Sequence, residues 1–256
     1  MQEIKICRIE NRIHQGELDK NVPQIFVGSP CDELQNLQKD GFCVLAELAH
    51  LQGLTEDEIA EALCKEEAVL QYENVCICAE ELSQAYLRRI WCKNKKLPVI
   101  IVETERLIIR ESVEEDAEAF CELYRDAECR KYLELPPADD VQTYRQYIKD
   151  YQNGQYAFYE YGMWTLVEKE SGAVVGRAGL EQQTFAEDQI GVGLGYAILP
   201  QHRGKGYAVE ACQAILAYSK ECEYAEKIYV KIDKENNASM TVYHKLGNSV
   251  ELIVVG

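Results

Sequence analysis

The sequence contains no C-x-x-C pair, although 11 of its 256 residues are cysteine. Zinc ribbons and thioredoxin-type redox sites need that spacing, because it brings two sulfur atoms together. The closest two cysteines are Cys76 and Cys78, which lie in an apolar segment where a free thiol behaves as a small hydrophobic group. No set of His, Asp and Glu residues has metal-ligand spacing either. We therefore expect neither a metal site nor a disulfide framework.

Long apolar runs are missing as well. No segment approaches the roughly 20 apolar residues that a membrane-spanning helix needs, and the N-terminus carries no secretory apolar region. The odd number of cysteines is typical of a reducing compartment. We therefore expect a soluble, cytoplasmic protein. Its 256 residues are enough for one large domain or two ordinary ones.

Positive charge is scarce. The chain has 27 Lys and Arg residues against 44 Asp and Glu residues, so its formal net charge is −17 at pH 7. Proteins that bind nucleic acid or an anionic membrane surface use Lys and Arg to neutralise phosphate, so we expect neither partner. The charge suits a cationic substrate such as an amine, but acidic proteins also occur for reasons of solubility alone.

The most informative segment of the chain is 195–211. An apolar, strand-like run ends at Pro200, a short loop contains Gly204 and Gly206, and an amphipathic helix follows at once. Backbone N–H groups at a helix N-terminus favour an anion, and glycine lets the main chain approach a phosphate closely. The segment is neither a G-x-G-x-x-G fingerprint nor a P-loop, because Gly206 follows Lys205 where a P-loop has Ser or Thr. It predicts a loop that binds pyrophosphate.

Within this segment, Arg203-x-x-Gly206-x-Ala208 matches the Q/R-x-x-G-x-G/A motif of the GNAT superfamily of N-acetyltransferases. Three further blocks resemble the family's first strand, the strand before the cofactor strand and a late N-x-x-S-x-x-x-Y-x-K-L-G helix, and they lie at 103–110, 174–180 and 236–247. All four blocks agree with the family in order and spacing. The chain resembles most the ribosomal-protein and small-amine acetyltransferase branch, over about residues 103–256.

The resemblance implies a fold and an activity. The fold class is α/β, with a GNAT-like mixed, mostly antiparallel twisted sheet and flanking helices over 99–256. The activity is direct transfer of an acetyl group from acetyl-CoA to a primary amine, on a small molecule or a protein N-terminus. Residues 1–98 lie outside the resemblance, and we expect them to form a small α/β domain of unknown role.

The resemblance also assigns the residues that contact the cofactor. In the family, the pantetheine arm pairs with the exposed edge of the strand before the pyrophosphate loop, where two parallel strands separate. That edge corresponds here to Tyr196, Ala197 and Ile198, with the N–H of Ile198 as the oxyanion donor. Asn236 is expected to hydrogen-bond the pantetheine arm. The pyrophosphate is expected on the loop formed by Arg203, Gly204, Lys205, Gly206, Tyr207 and Ala208.

Tyr243 is the candidate general acid. It follows Asn236 by seven residues, or about two helical turns, so both residues lie on one face of a helix. The resemblance implies that Tyr243 protonates the departing thiolate. A tyrosine on an amphipathic helix can also be a core residue whose hydroxyl bonds to a neighbour.

The general base is less clearly marked. Some relatives carry a glutamate five residues before the Asn, but Lys231 stands there, and an ordinary lysine is protonated at neutral pH. Gly193 stands where an acidic residue often precedes the Gly-Tyr of the cofactor strand. Glu181, at the end of the preceding strand, is the best remaining carboxylate. Asp233 and an ordered water molecule are the alternatives.

Two of these departures favour a different function. Lys231 and Gly193 leave open a catalytically weak or inactive regulatory protein that binds acetyl-CoA. Relatives also continue through another strand beyond the position of Gly256. The N-terminal part, or a second copy of the chain in a homodimer, is therefore expected to cover that side.

The N-terminal part shows an α/β pattern of its own. Residues 55–58 form a capping box, and the run 98–102 is a continuous apolar strand that would close a parallel strand–helix–strand unit. Short buried strands are predicted at 24–28 and 75–78, and a further helix is predicted at 82–92. This part has no Gly-rich phosphate loop and no catalytic constellation, which favours a structural module over a second active site. In the acetyltransferase-like part, a helix is predicted over 113–130.

Overall fold

The computed structural model describes residues 3–9, 18–65, 67–133, 140–184, 190–222 and 224–255. The chain divides into two units, Met1–Val99 and Ile100–Gly256. None of the described helices is long and apolar enough to cross a membrane. The cellular location stays a prediction from the sequence.

The first unit is built on four parallel strands in the order β1-β2-β3-β4. Its elements are β1 (Lys5–Arg8), β2 (Gln24–Gly28), α1 (Asp32–Lys39), β3 (Val44–Glu47), α2 (Glu56–Lys65), β4 (Val75–Cys76) and α3 (Gln84–Asn94). Ile25 and Val27 of β2 pack with residues of α3, whereas Phe26 packs with residues of α1. Helices therefore cover both faces of the sheet, as an all-parallel sheet requires.

Local sequence signals in this unit predict its elements well. The strand at 24–28 is confirmed, and the helix at 82–92 is confirmed to within two residues. The capping box is also confirmed. The N–H of Thr55 donates to Glu58 Oε2 at 2.9 Å, and the N–H of Glu58 donates to Thr55 Oγ1 at 3.4 Å.

The predicted parallel unit that ends in the strand at 98–102 is wrong. The strand exists as β5 (Ile100–Glu103), but it pairs antiparallel with β6 (Leu107–Arg110) in the sheet of the second unit. A tight turn explains the difference. The N–H of Thr104 donates to the carbonyl of Leu107 at 2.9 Å, which folds β6 back along β5.

The second unit contains a seven-stranded sheet in the order β11-β10-β9-β8-β7-β6-β5. Its remaining strands are β7 (Met163–Glu168), β8 (Val174–Thr184), β9 (Ile190–Ile198), β10 (Ile228–Asp233) and β11 (Glu251–Val255). Neighbours from β5 to β9 are antiparallel, whereas β9, β10 and β11 run parallel. Helices pack against this sheet. The predicted α/β class, with a mixed, mostly antiparallel sheet, is confirmed.

The helices of the second unit are α4 (Ala117–Arg125), α5 (Ala127–Tyr132), α6 (Val141–Tyr151), α7 (Ala157–Tyr159), α8 (Tyr207–Glu221) and α9 (Asn237–Leu246). The sequence predicts one continuous helix over 113–130, and this is wrong, because the chain breaks at Asp126. The backbone of Asp126 is extended (φ −63°, ψ 127°), and its side chain caps α5 by accepting the N–H of Cys129 at 3.0 Å.

The two faces of this sheet carry different helices. Ala197 of β9 lies in a buried cluster with Phe120 of α4 and Ile148 of α6. Trp164 of β7 lies against Tyr218 of α8, with ring centroids 6.1 Å apart. The first face is rich in tyrosine and carries the only side-chain cation that is almost completely buried among the described residues.

That cation is Arg177 of β8, which is 2% exposed. It donates from Nη1 to the hydroxyl of Tyr124 and from Nη2 to the carbonyl of Met163. Three aromatic rings lie 4.5–5.6 Å from its guanidinium carbon, those of Phe120, Tyr147 and Tyr151. Cation–π contacts and hydrogen bonds to neutral oxygens therefore surround this charge.

A π-helical turn, Gln152–Tyr156, separates α6 from α7. It places two tyrosines against the same residue at the start of β7. The hydroxyl of Tyr151 accepts the N–H of Met163 at 2.8 Å, and the hydroxyl of Tyr156 donates to the carbonyl of Met163 at 2.6 Å. The two rings are in edge contact, with centroids 4.9 Å apart.

Gly179 of β8 permits a close approach of main chain at this point. A Cβ atom there would lie 2.0 Å from the carbonyl oxygen of Gly162 and 2.7 Å from the Cα of Met163. We expect Gly179→Ala to lower the free energy of unfolding by about 1–3 kcal/mol, because the collision is with backbone. Gly154→Ala is the control, since nothing in the described chain outside its own helical turn lies within 4 Å of its Cβ position. Urea titrations of both variants measure the difference, and equal stabilities would contradict the prediction.

Candidate active site

The strands β9 and β10 separate soon after they begin. Among the described residues they pair at only two positions, Val192–Ile228 and Gly193–Tyr229. Both strands then continue for several residues, β9 to Ile198 and β10 to Asp233. On the side away from the other strand, β9 pairs with nine residues of β8, and β10 pairs with five residues of β11. A wedge-shaped gap therefore opens between two well-paired strands.

Peptide groups of β9 face this gap. The N–H of Leu199 donates to the carbonyl of Val175 at 2.9 Å, so residue 199 faces β8. Because successive residues of a strand direct their peptide groups to opposite sides, Ala197 also faces β8, whereas Tyr196 and Ile198 face the gap. Of the three strand residues that the sequence predicts as cofactor contacts, two present peptide groups to the gap. Ala197 is held in the ladder with β8.

Two glycines in the left-handed region join β9 to α8. Gly204 has φ 75°, and Gly206, the N-cap of α8, has φ 86°. Residues with a side chain rarely adopt these angles, so the backbone conformation itself calls for glycine. The first N–H groups of α8, at Tyr207 and Ala208, have no acceptor within the helix. They provide donors for an anion at the start of a 15-residue helix.

The side chain of Arg203 is engaged within the protein. Its Nε donates to the carbonyl of Ile198 at 3.0 Å, and its Nη2 pairs with the carboxylate of Asp126 and lies 3.3 Å from Cys129 Sγ. The hydrogen bond from Arg203 lowers the pKa of Asp126. The guanidinium that the sequence predicts as a cofactor contact thus ties the loop to the end of β9 and the start of α5.

The other predicted loop residues differ in exposure. Lys205 is exposed and Ala208 is half-buried, but Tyr207 is only 4% exposed. The hydroxyl of Tyr207 donates to the carboxylate of Glu168, and its ring lies 4.7 Å from the guanidinium carbon of Arg106. The side chain of Tyr207 is therefore part of the packing beneath the loop, and its N–H group is what faces outward at the helix start.

Asn236 and Tyr243 lie at the start and in the second turn of α9. Asn236 Oδ1 accepts the N–H of Ser239 at 3.0 Å and so caps the helix, which leaves the amide nitrogen for another acceptor. Tyr243 is half-buried, and its ring lies 5.5 Å from that of His244. In the part of the chain that the structure describes, its hydroxyl makes no hydrogen bond, unlike the satisfied hydroxyl of a core tyrosine.

Glu181 is half-buried on β8, opposite Gly193. Its Oε1 accepts the hydroxyl of Tyr151 at 2.8 Å. Since that hydroxyl already accepts the N–H of Met163, its proton must point at the carboxylate. Burial and the nearby charge of Glu181 both raise the pKa of Tyr151, which therefore remains a neutral donor. One carboxylate oxygen of Glu181 is left for other partners.

Glu181 does not lie beside the far end of the gap. Its partner Gly193 precedes Tyr196 by three positions and Ile198 by five, which corresponds to about 10 and 17 Å of strand. The structure therefore brings the loop, Tyr196 and Ile198 together at one end of β9 and places Glu181 nearer the other. A proton that travels between the two ends needs water as a carrier.

Two residues of this site have no distinctive signal in the sequence. Tyr151 is visible only as part of a tyrosine stripe on α6, with Tyr144 and Tyr147 one turn apart. Arg106 occupies the turn between β5 and β6, where nothing in the local pattern indicates its contact with Tyr207. Both act through tertiary contacts, and only the folded chain reveals them.

Comparison with known proteins identifies relatives of the second unit. Residues 106–249 match the family described as the acetyltransferase (GNAT) domain. An uncharacterized N-acetyltransferase, p20 of Bacillus licheniformis, is 30% identical over 146 residues, which are 56% of this chain and 79% of that protein. Spermidine N(1)-acetyltransferase of Escherichia coli K12 is 39% identical over 54 residues, 21% of this chain and 29% of that enzyme. A crystal structure of a GNAT-family acetyltransferase from Bacillus anthracis is 25% identical, covers 57% of this chain and 81% of its own, and gives a TM-score of 0.48.

Gly206 allows a charge test of the loop. We expect Gly206→Asp to bind acetyl-CoA at least about tenfold more weakly than Gly206→Asn, because a carboxylate at the helix N-terminus repels the pyrophosphate. The two side chains are almost equal in shape, and both tolerate a positive φ. Calorimetric titration with acetyl-CoA compares them directly. Equal affinities for the two variants would exclude this loop as the pyrophosphate site.

Proposed function

Because the chain belongs to the GNAT family of N-acetyltransferases, which use acetyl-CoA, we propose that it transfers the acetyl group directly to a primary amine of a small molecule or a protein N-terminus. One observation carries the proposal. The peptide groups of Tyr196 and Ile198 face a gap between parallel strands, directly before a loop whose two glycines have positive φ. An extended chain with a diphosphate at its end fits such a gap and loop.

The residues present suit acetyl-CoA at this position. The main-chain N–H groups at Gly206, Tyr207 and Ala208 would hold the pyrophosphate, and the N–H and carbonyl of Tyr196 would pair with amide groups of the pantetheine arm. The free amide nitrogen of Asn236 adds a donor that follows β10, the other wall of the gap. The acetyl donor supplies the reactive thioester.

Acetyl transfer forms a carbon–nitrogen bond and breaks a carbon–sulfur bond. The amine must lose one proton, the departing thiolate must gain one, and the carbonyl oxygen that becomes negative needs a donor. We assign to the N–H of Ile198 the hydrogen bond to the carbonyl oxygen. We assign to Tyr243 the proton that the thiolate gains. We assign the proton of the amine to Glu181, which receives it through water because of its distance from Ile198.

An amine substrate fits the charges of the chain. The formal net charge of −17 attracts a cation. One relative is named for spermidine, a cationic amine. The predicted homodimer is part of the same proposal, and light scattering of the purified protein tests it separately.

The proposal is tested by supplying amines. Purified protein is incubated with acetyl-CoA and panels of small amines and peptide N-termini, and release of free thiol is followed. We expect release that depends on the amine and stops when the amine is already acetylated. Binding of acetyl-CoA without amine-dependent release would favour the regulatory alternative, which Lys231 and Gly193 suggest.

Tyr243→Phe tests the delivery of the proton to sulfur. We expect kcat to fall by roughly 10²–10⁴-fold, the usual range for one acid–base group, with the affinity for acetyl-CoA almost unchanged. The neighbouring His244→Gln is the control, because it alters the adjacent exposed side chain of the same helix. Wild-type turnover in Tyr243→Phe would make Tyr243 a packing residue.

Glu181→Gln tests the acceptor of the amine proton. We expect a decrease in kcat of about 10²-fold or more at neutral pH, whereas Glu170→Gln, on the exposed β7–β8 turn, should leave turnover unchanged. Tyr151→Phe keeps the ring but removes the donor to Glu181. It should show part of the same decrease in kcat without a change in the KM for acetyl-CoA. A Glu181→Gln enzyme with normal kcat would assign the proton to water alone.

A further inference from the structure

A carboxylate lies close to the pyrophosphate loop. Glu210 is in the first turn of α8, where the donors for the anion also lie, and its side chain is 19% exposed. A free negative charge at this place would repel a diphosphate. The contacts of Glu210 therefore decide whether the loop can bind a diphosphate.

Arg106 and Thr104, from the turn between β5 and β6, bind this carboxylate. Thr104 Oγ1 donates to Glu210 Oε1 at 2.6 Å, the main-chain N–H of Arg106 donates to the same atom at 3.0 Å, and Arg106 Nε donates to Oε2 at 2.7 Å. Burial acts to raise the pKa of Glu210, but these hydrogen bonds outweigh it and hold the pKa below its ordinary value. The carboxylate stays ionised, and the guanidinium neutralises it.

The same guanidinium also binds the loop itself. Arg106 Nη1 donates to the carbonyl of Lys205 at 2.9 Å. In a planar trans peptide the carbonyl and the following N–H point in opposite directions. Holding the carbonyl of Lys205 toward Arg106 therefore turns the N–H of Gly206 away from it, to the side that is free for an anion. The positive φ of Gly206 accommodates this orientation.

Arg106 is itself held in place. Its guanidinium lies over the ring of Tyr207 at 4.7 Å, and its carbonyl accepts the N–H of Lys169, on the β7–β8 turn, at 2.8 Å. Two hairpin turns and the first turn of α8 are thus joined through one residue, by its main chain and its side chain together. Its position is fixed by contacts on each side, so it can fix the loop in turn.

We propose that Arg106 is the positioning residue of the pyrophosphate loop, which orients the Gly206 peptide and screens Glu210 so that the loop selects acetyl donors that carry a diphosphate. The inference rests on the binding of acetyl-CoA at this loop, and it is independent of the amine and of the assignments of Tyr243 and Glu181. It also predicts that replacing Arg106 weakens the binding only of those acetyl donors that contain the diphosphate.

The experiment measures the binding of three donors to Arg106→Gln. The donors are acetyl-CoA, acetyl-dephospho-CoA, which lacks the 3′-phosphate, and S-acetylpantetheine, which lacks the nucleotide and the pyrophosphate. We expect the Kd to rise about 10- to 100-fold for the first two and to change less than about twofold for the third. Calorimetry measures the tight complexes, and ligand-observed NMR measures S-acetylpantetheine.

Two further variants separate positioning from general damage. Lys169→Gln removes one positive charge close to Arg106. The side chain of Lys169 bonds to Thr104 and Glu103 but not to the loop. This variant should therefore bind all three donors normally. Arg106→Gln combined with Glu210→Gln removes the repulsion but leaves the carbonyl of Lys205 unheld, so acetyl-CoA should still bind about tenfold more weakly than to wild type.

The outcomes are distinguishable. An equal loss of affinity for all three donors, or full recovery in the double variant, would overturn the positioning role of Arg106. Normal binding of acetyl-CoA by Arg106→Gln would do the same. Failure of the wild-type protein to bind acetyl-CoA at all would instead overturn the proposed function, since that result does not depend on Arg106.

Discussion

The separation of β9 from β10 is the constraint on which the second unit depends. A peptide group that faces another strand without pairing is costly to bury. The strand β9 presents such groups at Tyr196 and at the N–H of Ile198, whose carbonyl accepts the Nε of Arg203. The sheet tolerates this because both strands are fully paired on their outer sides. Since the carboxyl ends of parallel strands lie at one edge, the loop after β9 and Asn236 after β10 meet at the open end of the gap.

The proposed anion site at this edge lies in a chain whose net charge is negative. The protein carries a formal charge of −17, yet in the proposed function the loop after β9 accepts an anion. Three carboxylates lie next to the loop, and each is bound by a donor that belongs to the loop or contacts it. The pairs are Asp126 with Arg203, Glu168 with Tyr207 and Glu210 with Arg106. Local pairing, rather than a basic surface, makes an anion site possible here.

The sequence predicts those parts of the site that are encoded locally. The order of strand, loop and helix around Gly204 and Gly206 follows from short-range chemistry, and so does the helical spacing of Asn236 and Tyr243. The fold class was also predicted correctly, because four ordered blocks constrain it. The sequence alone does not reveal partners in space. Arg106 meets Glu210 across 104 positions of the chain, and no periodicity reports such a contact.

The same distinction explains the errors. The strand at 98–102 was identified from its own residues, but its partner depends on a turn that follows it. The helix over 113–130 has the right composition throughout, yet the side chain of Asp126 competes for a backbone N–H and ends the helix. Arg203 matches its motif, and only the fold shows that its guanidinium is consumed by Ile198 and Asp126.

The π-helical turn after α6 makes chain length, rather than composition, decisive at one point. In an α-helix of 3.6 residues per turn, residues five apart such as Tyr151 and Tyr156 would lie about 140° apart, and only one could reach Met163. The wider turn, with its i→i+5 bonding, is equivalent to one inserted residue and brings both hydroxyls to the same strand. A deletion of a single residue from 152–155 would restore a regular helix in which the two tyrosines are four residues apart, about 40° around the helix, and still share a face. Homologous chains shorter by one residue here should therefore keep both hydroxyls on a regular α-helix, whereas chains of the same length need the wider turn to do so.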